Sequence, residues 1–298
     1  MLYKTHKKFG YTFGFIALIL SFINGWLVSL GQVGGFYDRV MVFVIVYTAI
    51  RGAVFGSGFP DIDSPGSVPA RHYPFLRRVF KLLNIKHRGP VSHDYVTVTV
   101  IFIALYYGVK KLIGIGVTNH WIMLALTIYV CYNFSRDILN HIVFKIIKDK
   151  KRRKNVLKLS KPIVAVIIYV IFVTLGFIRI GEDTVSLIAT SNFVGPVLQT
   201  WIVFGWVGAM SHLFADMLTN DGVHFLGFDL APAKIVLLVK KIPVIGKHLI
   251  ANNMKTGSSY EDGWNLIVTV MMVPLFILVI IGMMGGDVSG ILAMLGGR

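Results

Sequence analysis

Apolar and polar positions fall along this chain in long blocks rather than in the short periods of a soluble fold. Seven apolar segments each hold roughly the 20 residues that cross a bilayer as a helix: 12–30, 36–55, 95–117, 121–144, 162–180, 194–218 and 264–284. The second carries Asp38, Arg39 and Arg51 near its ends and is the least clean. The tail 288–295 is too short to span again. No small-residue cleavage site follows the first run, which therefore reads as a retained helix. The pattern predicts an all-α, polytopic transmembrane helical bundle of about seven spans, forming one integral membrane domain over residues 1–298. Two connections, 56–94 and 219–263, are long enough to carry function. Each holds an amphipathic stretch, 75–85 and 233–249, suited to lying on headgroups.

Composition fits a membrane class. Of 298 residues, 55% are hydrophobic and 15% charged, and the mean hydropathy is +0.70. The net charge of +16 is read first as topology. Lys4, Lys7 and Lys8, the basic residues of 71–88, the run Lys-Asp-Lys-Lys-Arg-Arg-Lys (148–154), and Lys234, Lys240, Lys241 and Lys247 alternate so as to share one face. That predicts a cytoplasmic N-terminus, an external C-terminus and contact with anionic headgroups. Lys110 and Lys111 depart from the rule and are read as snorkelling. The run 148–154 is short and lacks interleaved aromatics, so nucleic-acid binding is not expected. One cysteine, Cys131, excludes both a disulfide framework and a Cys-rich zinc site.

Any metal must then be held by histidine and carboxylate. His212 and Asp216 stand at i, i+4 at the end of the sixth apolar run, on one helical face. Both are ligand types, and neither belongs in lipid without a partner; the alternative is a polar pair joining helices. The first long connection opens with Pro-Asp-Ile-Asp, whose Asp61 and Asp63 suit one cation or, equally, a solvated Asx-turn. It closes with His-Arg-Gly-Pro-Val-Ser-His-Asp (87–94). There His87 and His93 are candidate ligands, Arg88 a candidate anion-binding group, and Asp94 either part of the site or a helix N-cap. His6, His224, and Asp137 with His141 in the fourth apolar run are weaker candidates, the last two read first as an interhelical network. His6, Asp61, Asp63, His87, His93, His212 and Asp216 come from four regions. A topology built only on apolar runs and Lys/Arg counts puts all of them on one side. Seven ligands exceed the needs of one zinc, so one or two divalent ions are expected.

The ordered set Thr-His (5–6), Pro-Asp-Ile-Asp (60–63), His-Arg-Gly-x-x-Ser-His (87–93) and His-x-x-x-Asp-x-x-Thr-x-x-Gly-Val-His (212–224) resembles the LexA-regulated, inner-membrane metal-dependent hydrolases of bacteria. That family is distantly similar to zinc-dependent phospholipases C. The resemblance runs from His6 to about Phe228. It implies a multi-pass protein of the bacterial inner membrane, with His6, Asp61, His93, His212 and Asp216 at ligand positions and Asp63 and His87 in the same motifs. Two positions depart from the family pattern. Asp94 stands where Ser is common, and His224 with Phe-Asp-Leu-Ala-Pro stands where an apolar residue and Trp-Pro are common.

These readings together give the expectation of a hydrolase of phosphoesters, such as a phospholipid or lipid-linked phosphate, working at the cytoplasmic face. The metal is expected to be zinc, with manganese or magnesium as alternatives. Asp63 or Asp94 serves as general base, and His87 and Arg88 stabilise charge on the phosphate. The rivals are a metal-ion or proton-coupled transporter and a protein whose metal is purely structural. The oligomeric state stays open.

Overall fold

The computed structural model describes residues 3–25, 36–87, 89, 91–118, 120–174, 184–219, 223–225, 228–230 and 259–295. It is helical throughout apart from one small hairpin. The helices are α1 (Tyr3–Ile23), α2 (Phe36–Gly56), α3 (Val68–His72), α4 (Pro74–Leu82), α5 (Tyr95–Thr118), α6 (His120–Ile146), α7 (Lys150–Thr174), α8 (Thr184–Met217), α9 (Ser259–Met283) and α10 (Val288–Leu295). A 3-10 turn covers Pro60–Asp63, and strands β1 (Val223–Phe225) and β2 (Phe228–Leu230) pair antiparallel.

All seven predicted apolar segments overlap a helix. Among the described residues, three helices are long and apolar enough to cross a membrane: Tyr95–Gly114, Val194–Met217 and Glu261–Met283. At 1.5 Å per residue, 20 to 24 residues match a hydrocarbon core of about 30 Å. Met41–Gly56 is a shorter apolar helix. α1 begins inside the lysine-bearing N-terminus, at Tyr3 rather than residue 12. α7 takes residues 150–154 of the basic run into its first turns, and Asp149 caps it by accepting from the Lys151 and Arg152 amides at 2.6 and 2.9 Å.

The chain forms two compact units, residues 107–199 and the remainder. In the smaller unit, α6 and α7 pack as a helical hairpin, and Ser135 Oγ donates to the Lys161 carbonyl at 3.0 Å. In the larger unit, α1 packs against α2 and α9, and α2 against the end of α8.

That last contact is backbone on backbone. A Cβ at Gly52 would lie 2.5 Å from the Trp201 carbonyl oxygen, and one at Gly56 or Gly208 would overlap the facing backbone outright. Small residues at such spacing let helices approach closely where no hydrophobic drive brings them together. α5 joins the same group: Trp206 Nε1 donates to Thr99 Oγ1 at 3.0 Å. The close approach brings the C-terminal ends of α2 and α8 side by side, next to the start of α1.

Candidate metal centre

Five of the described candidate ligands meet at that end of the larger unit. His6 enters from the first turns of α1, and His212 and Asp216 from the last turns of α8. Asp61 comes from the 3-10 turn after α2, and His93 from the residues just before α5. Local chemistry fixes the turn. Pro60 begins it, and Ser67, which caps α3 through the Ala70 amide, donates its hydroxyl to the Asp61 carbonyl at 2.6 Å.

Two overlapping groups each offer ligand atoms within 4.8 Å of one another: His6, His212 and Asp216, and Asp61, His93 and His212. His212 belongs to both. Asp216 lies between the imidazoles. His6 Nε2 is 3.3 Å from Oδ1, while His212 Nε2 and His93 Nε2 are 3.3 and 3.5 Å from Oδ2. Asp61 Oδ1 is 3.8 Å from His212 Nε2. Ligands about 2.0–2.1 Å from a tetrahedral zinc stand about 3.3 Å apart, which is the spacing around Asp216. His93 Nε2, His212 Nε2 and His6 Nδ1 are buried and have no hydrogen-bond partner among the described residues. Leaving buried polar groups unpaired is costly, so the donor set fits a cation. The His6 and His212 rings stack with centroids 3.8 Å apart.

A second layer fixes which nitrogen faces inward. His212 Nδ1 lies 2.7 Å from the Ser57 carbonyl, which accepts, so the proton sits on Nδ1 and the lone pair on Nε2. His93 is held likewise. Its Nδ1 is 3.1 Å from Ser92 Oγ, and the Ser92 hydroxyl donates to Asp63 Oδ2 at 2.5 Å. Asp63 Oδ1 in turn accepts from His87 Nδ1 at 2.8 Å. Burial pushes the Asp63 carboxyl up, but hydrogen bonds from His93, Ser92 and His87 outweigh it and hold the group below its ordinary value. Such outer partners orient imidazole ligands and raise their basicity.

The candidates therefore separate. His6, Asp61, His93, His212 and Asp216 come together. Asp63, expected as a ligand and a base, lies behind His93 with its oxygens on Ser92 and His87, and it joins neither ligand group. His87 sits beyond it with 48% of its side chain exposed. Asp94 is buried and caps α5, accepting from the Thr97 amide at 2.7 Å. Arg88 and the side chains of Asp137, His141 and His224 lie outside the described residues. Sequence reasoning missed Ser57 and the bridging role of Ser92. Ser57 acts through its backbone carbonyl, which no residue type announces. Ser92 stands beside His93 in the same motif, and its residue type alone does not show that it joins His93 to Asp63.

Comparison with protein-family models, with curated proteins and with solved structures finds no match for this chain.

Proposed function

We propose that this chain is a membrane-embedded, metal-dependent hydrolase acting on a phosphoester, such as a phospholipid or lipid-linked phosphate. One observation carries the reading. His93 and His212 aim buried, unpartnered Nε2 atoms at one carboxylate oxygen of Asp216, with His6 and Asp61 completing the ring. The resemblance to the LexA-regulated inner-membrane hydrolases supports it, as does the apolar chain. On this reading the protein has about seven spans, a cytoplasmic N-terminus and a place in a bacterial inner membrane.

The residues take distinct parts. His6, His93, His212, Asp61 and Asp216 hold one or two divalent ions, zinc first and manganese or magnesium next. A bound ion of this kind supplies a Lewis acid that lowers the pKa of water and polarises a phosphoryl oxygen. Ser57 and the Ser92–Asp63–His87 chain keep the ligating nitrogens bare and aimed. Asp61 is the ligand carboxylate most open to solvent, with 21% of its side chain exposed against 3% for Asp216. It therefore marks the side from which water and substrate would reach the ions.

A second reading, a structural metal that staples α1, α8 and the loops, draws support from the burial of His6, His93, His212 and Asp216, since structural sites are closed and catalytic sites keep an open position. Elemental analysis of the purified chain, run beside hydrolysis assays on phospholipids and polyprenyl phosphates, separates the two. Metal with turnover, both lost in His212→Ala, supports the hydrolase. Metal without turnover on any phosphoester leaves the staple. Absence of stoichiometric metal removes both.

A further inference from the structure

The amphipathic helix α4 has a face that the metal centre does not use. Phe75, Val79 and Leu82 fall at i, i+4 and i+7 on one stripe, with Leu76 and Phe80 beside it. The inner stripe is anchored: Phe80 is buried, and its ring meets Phe59 edge-on at 5.5 Å. The outer stripe is uncovered at its two ends, where Phe75 is 73% and Leu82 84% exposed, with Val79 half-buried between them. Arg77, Arg78 and Lys81 occupy the opposite arc and are exposed. Asn84, at a φ of 51°, ends the helix, with the Ile85 amide returning to the Phe80 carbonyl at 3.0 Å. The chain leaves α2 at Gly56 and re-enters α5 at Tyr95, so α4 lies at the level of the helix ends.

We propose that α4 lies in the interfacial layer of the bilayer, with Phe75, Val79 and Leu82 among acyl chains and Arg77, Arg78 and Lys81 on anionic headgroups. One side anchored on protein, one apolar and one basic is the pattern that suits such a layer. α4 packs on the turn that carries Asp61 and Asp63, so the lipid phosphates it gathers stand beside the metal centre. The placement rests on α5, α8 and α9 crossing the membrane; its link to an anionic lipid substrate rests on the hydrolase reading.

The test uses the full chain in nanodiscs of phosphatidylcholine with phosphatidylglycerol. Cys131, which is buried, is replaced by alanine, and an environment-sensitive fluorophore is placed on Leu82→Cys or, as an exposed control, on Gly66→Cys. The label at 82 is expected to be quenched by nitroxide-bearing lipid and shielded from aqueous iodide, and the label at 66 the reverse. A label at 82 as open to iodide as the one at 66 overturns the proposal. So does shielding from iodide without nitroxide-lipid quenching, which marks a protein neighbour such as a second copy. Reversing one basic residue, as in Arg78→Glu, weakens the embedded population about fivefold in discs with phosphatidylglycerol and leaves it unchanged in phosphatidylcholine alone; equal loss in both discs removes the headgroup contact. Carbonate extraction of the chain from membranes would defeat the spanning reading instead, and metal content tests the hydrolase separately.

Discussion

α8 and α9 are both long and apolar, and they use their surfaces in opposite ways. The candidate span in α8 has a mean hydropathy of 1.3 and 56% of it is buried; that in α9 has a mean hydropathy of 2.9 and only 17% is buried. The less apolar helix is the more enclosed one. In lipid, apolar side chains gain little by leaving the tails, so small and polar residues decide which helix goes inside. α8 carries Gly205, Gly208, Ser211, His212 and Asp216 into the interior. α9 touches α1 along one stripe: Glu261 accepts from Thr5 Oγ1 at 2.7 Å, and Val268 and Trp264 pack with Phe9. Leu266, Val270 and Val273 face outward.

The sharpest way to break this contrast is to add side chains where α2 and α8 touch. Gly56→Leu or Gly208→Leu drives a side chain into facing backbone, since even a Cβ overlaps there. Overpacking with no room to relax belongs with the largest single-residue effects, above about 4 kcal/mol. The expected outcome is loss of the folded state in a detergent unfolding titration, with bound metal lost in parallel. A variant that keeps its stability would mean that the helices stand further apart.

Next in size is the site itself. His212→Ala removes the imidazole shared by both ligand groups and leaves Asp216 and Asp61 without their common neighbour. Stoichiometric metal is expected to fall to background by elemental analysis while the chain still inserts in membranes. Retention of a full equivalent would exclude His212 as a ligand.

Asp63→Asn sharpens the distinction between ligands and the groups behind them. The amide keeps the shape but presents an NH2 or a neutral oxygen to Ser92 and His87, so the aim of His93 is disturbed without loss of a ligand atom. Affinity is expected to fall about 10–100-fold, the usual cost of an outer partner, measured by chelator competition. Protons compete with metal for the imidazoles, so the weaker variant releases its metal at a higher pH than the parent. The Asp63 carboxyl, held below 3.8, contributes fully above that value and is lost only as pH falls through its lowered one. Release from the parent in mild acid therefore reports on the histidines. Equal affinity in variant and parent would leave Asp63 without a positioning role.

What the sequence made legible follows the same divide. Apolar blocks located helices because a helix satisfies its own backbone wherever it lies. The i, i+4 spacing of His212 and Asp216 survived because it is local. Agreement of His6, Asp61, His93, His212 and Asp216 on one end was readable from topology. The parting of Asp63 from that group was not, since Asp61 and Asp63 look alike in Pro-Asp-Ile-Asp and only the fold decides which carboxylate meets His212 and which meets Ser92. The glycines of α2 and α8 were visible as residues, but their work is a close approach between chain segments about 150 positions apart, which periodicity in either helix cannot express.

The smallest expected effect lies on α9, and it is the one that most directly tests whether enclosure rather than hydropathy separates the two helices. Val270 is 62% exposed on the face away from α1, so Val270→Leu lengthens a side chain into lipid and meets no neighbour that must move. Exposed substitutions of this kind stay within about 0.5 kcal/mol, and metal content should not change. Val268, two positions earlier, is 3% exposed and packs with Phe9 and Ala215. Val268→Leu adds the same methylene where it has nowhere to go and is expected to cost about 1–3 kcal/mol. The two variants lie two positions apart on one helix and differ by nothing in composition. A detergent unfolding titration that ranks them equal would mean that α9 packs against something on both faces, and the contrast with α8 would no longer hold.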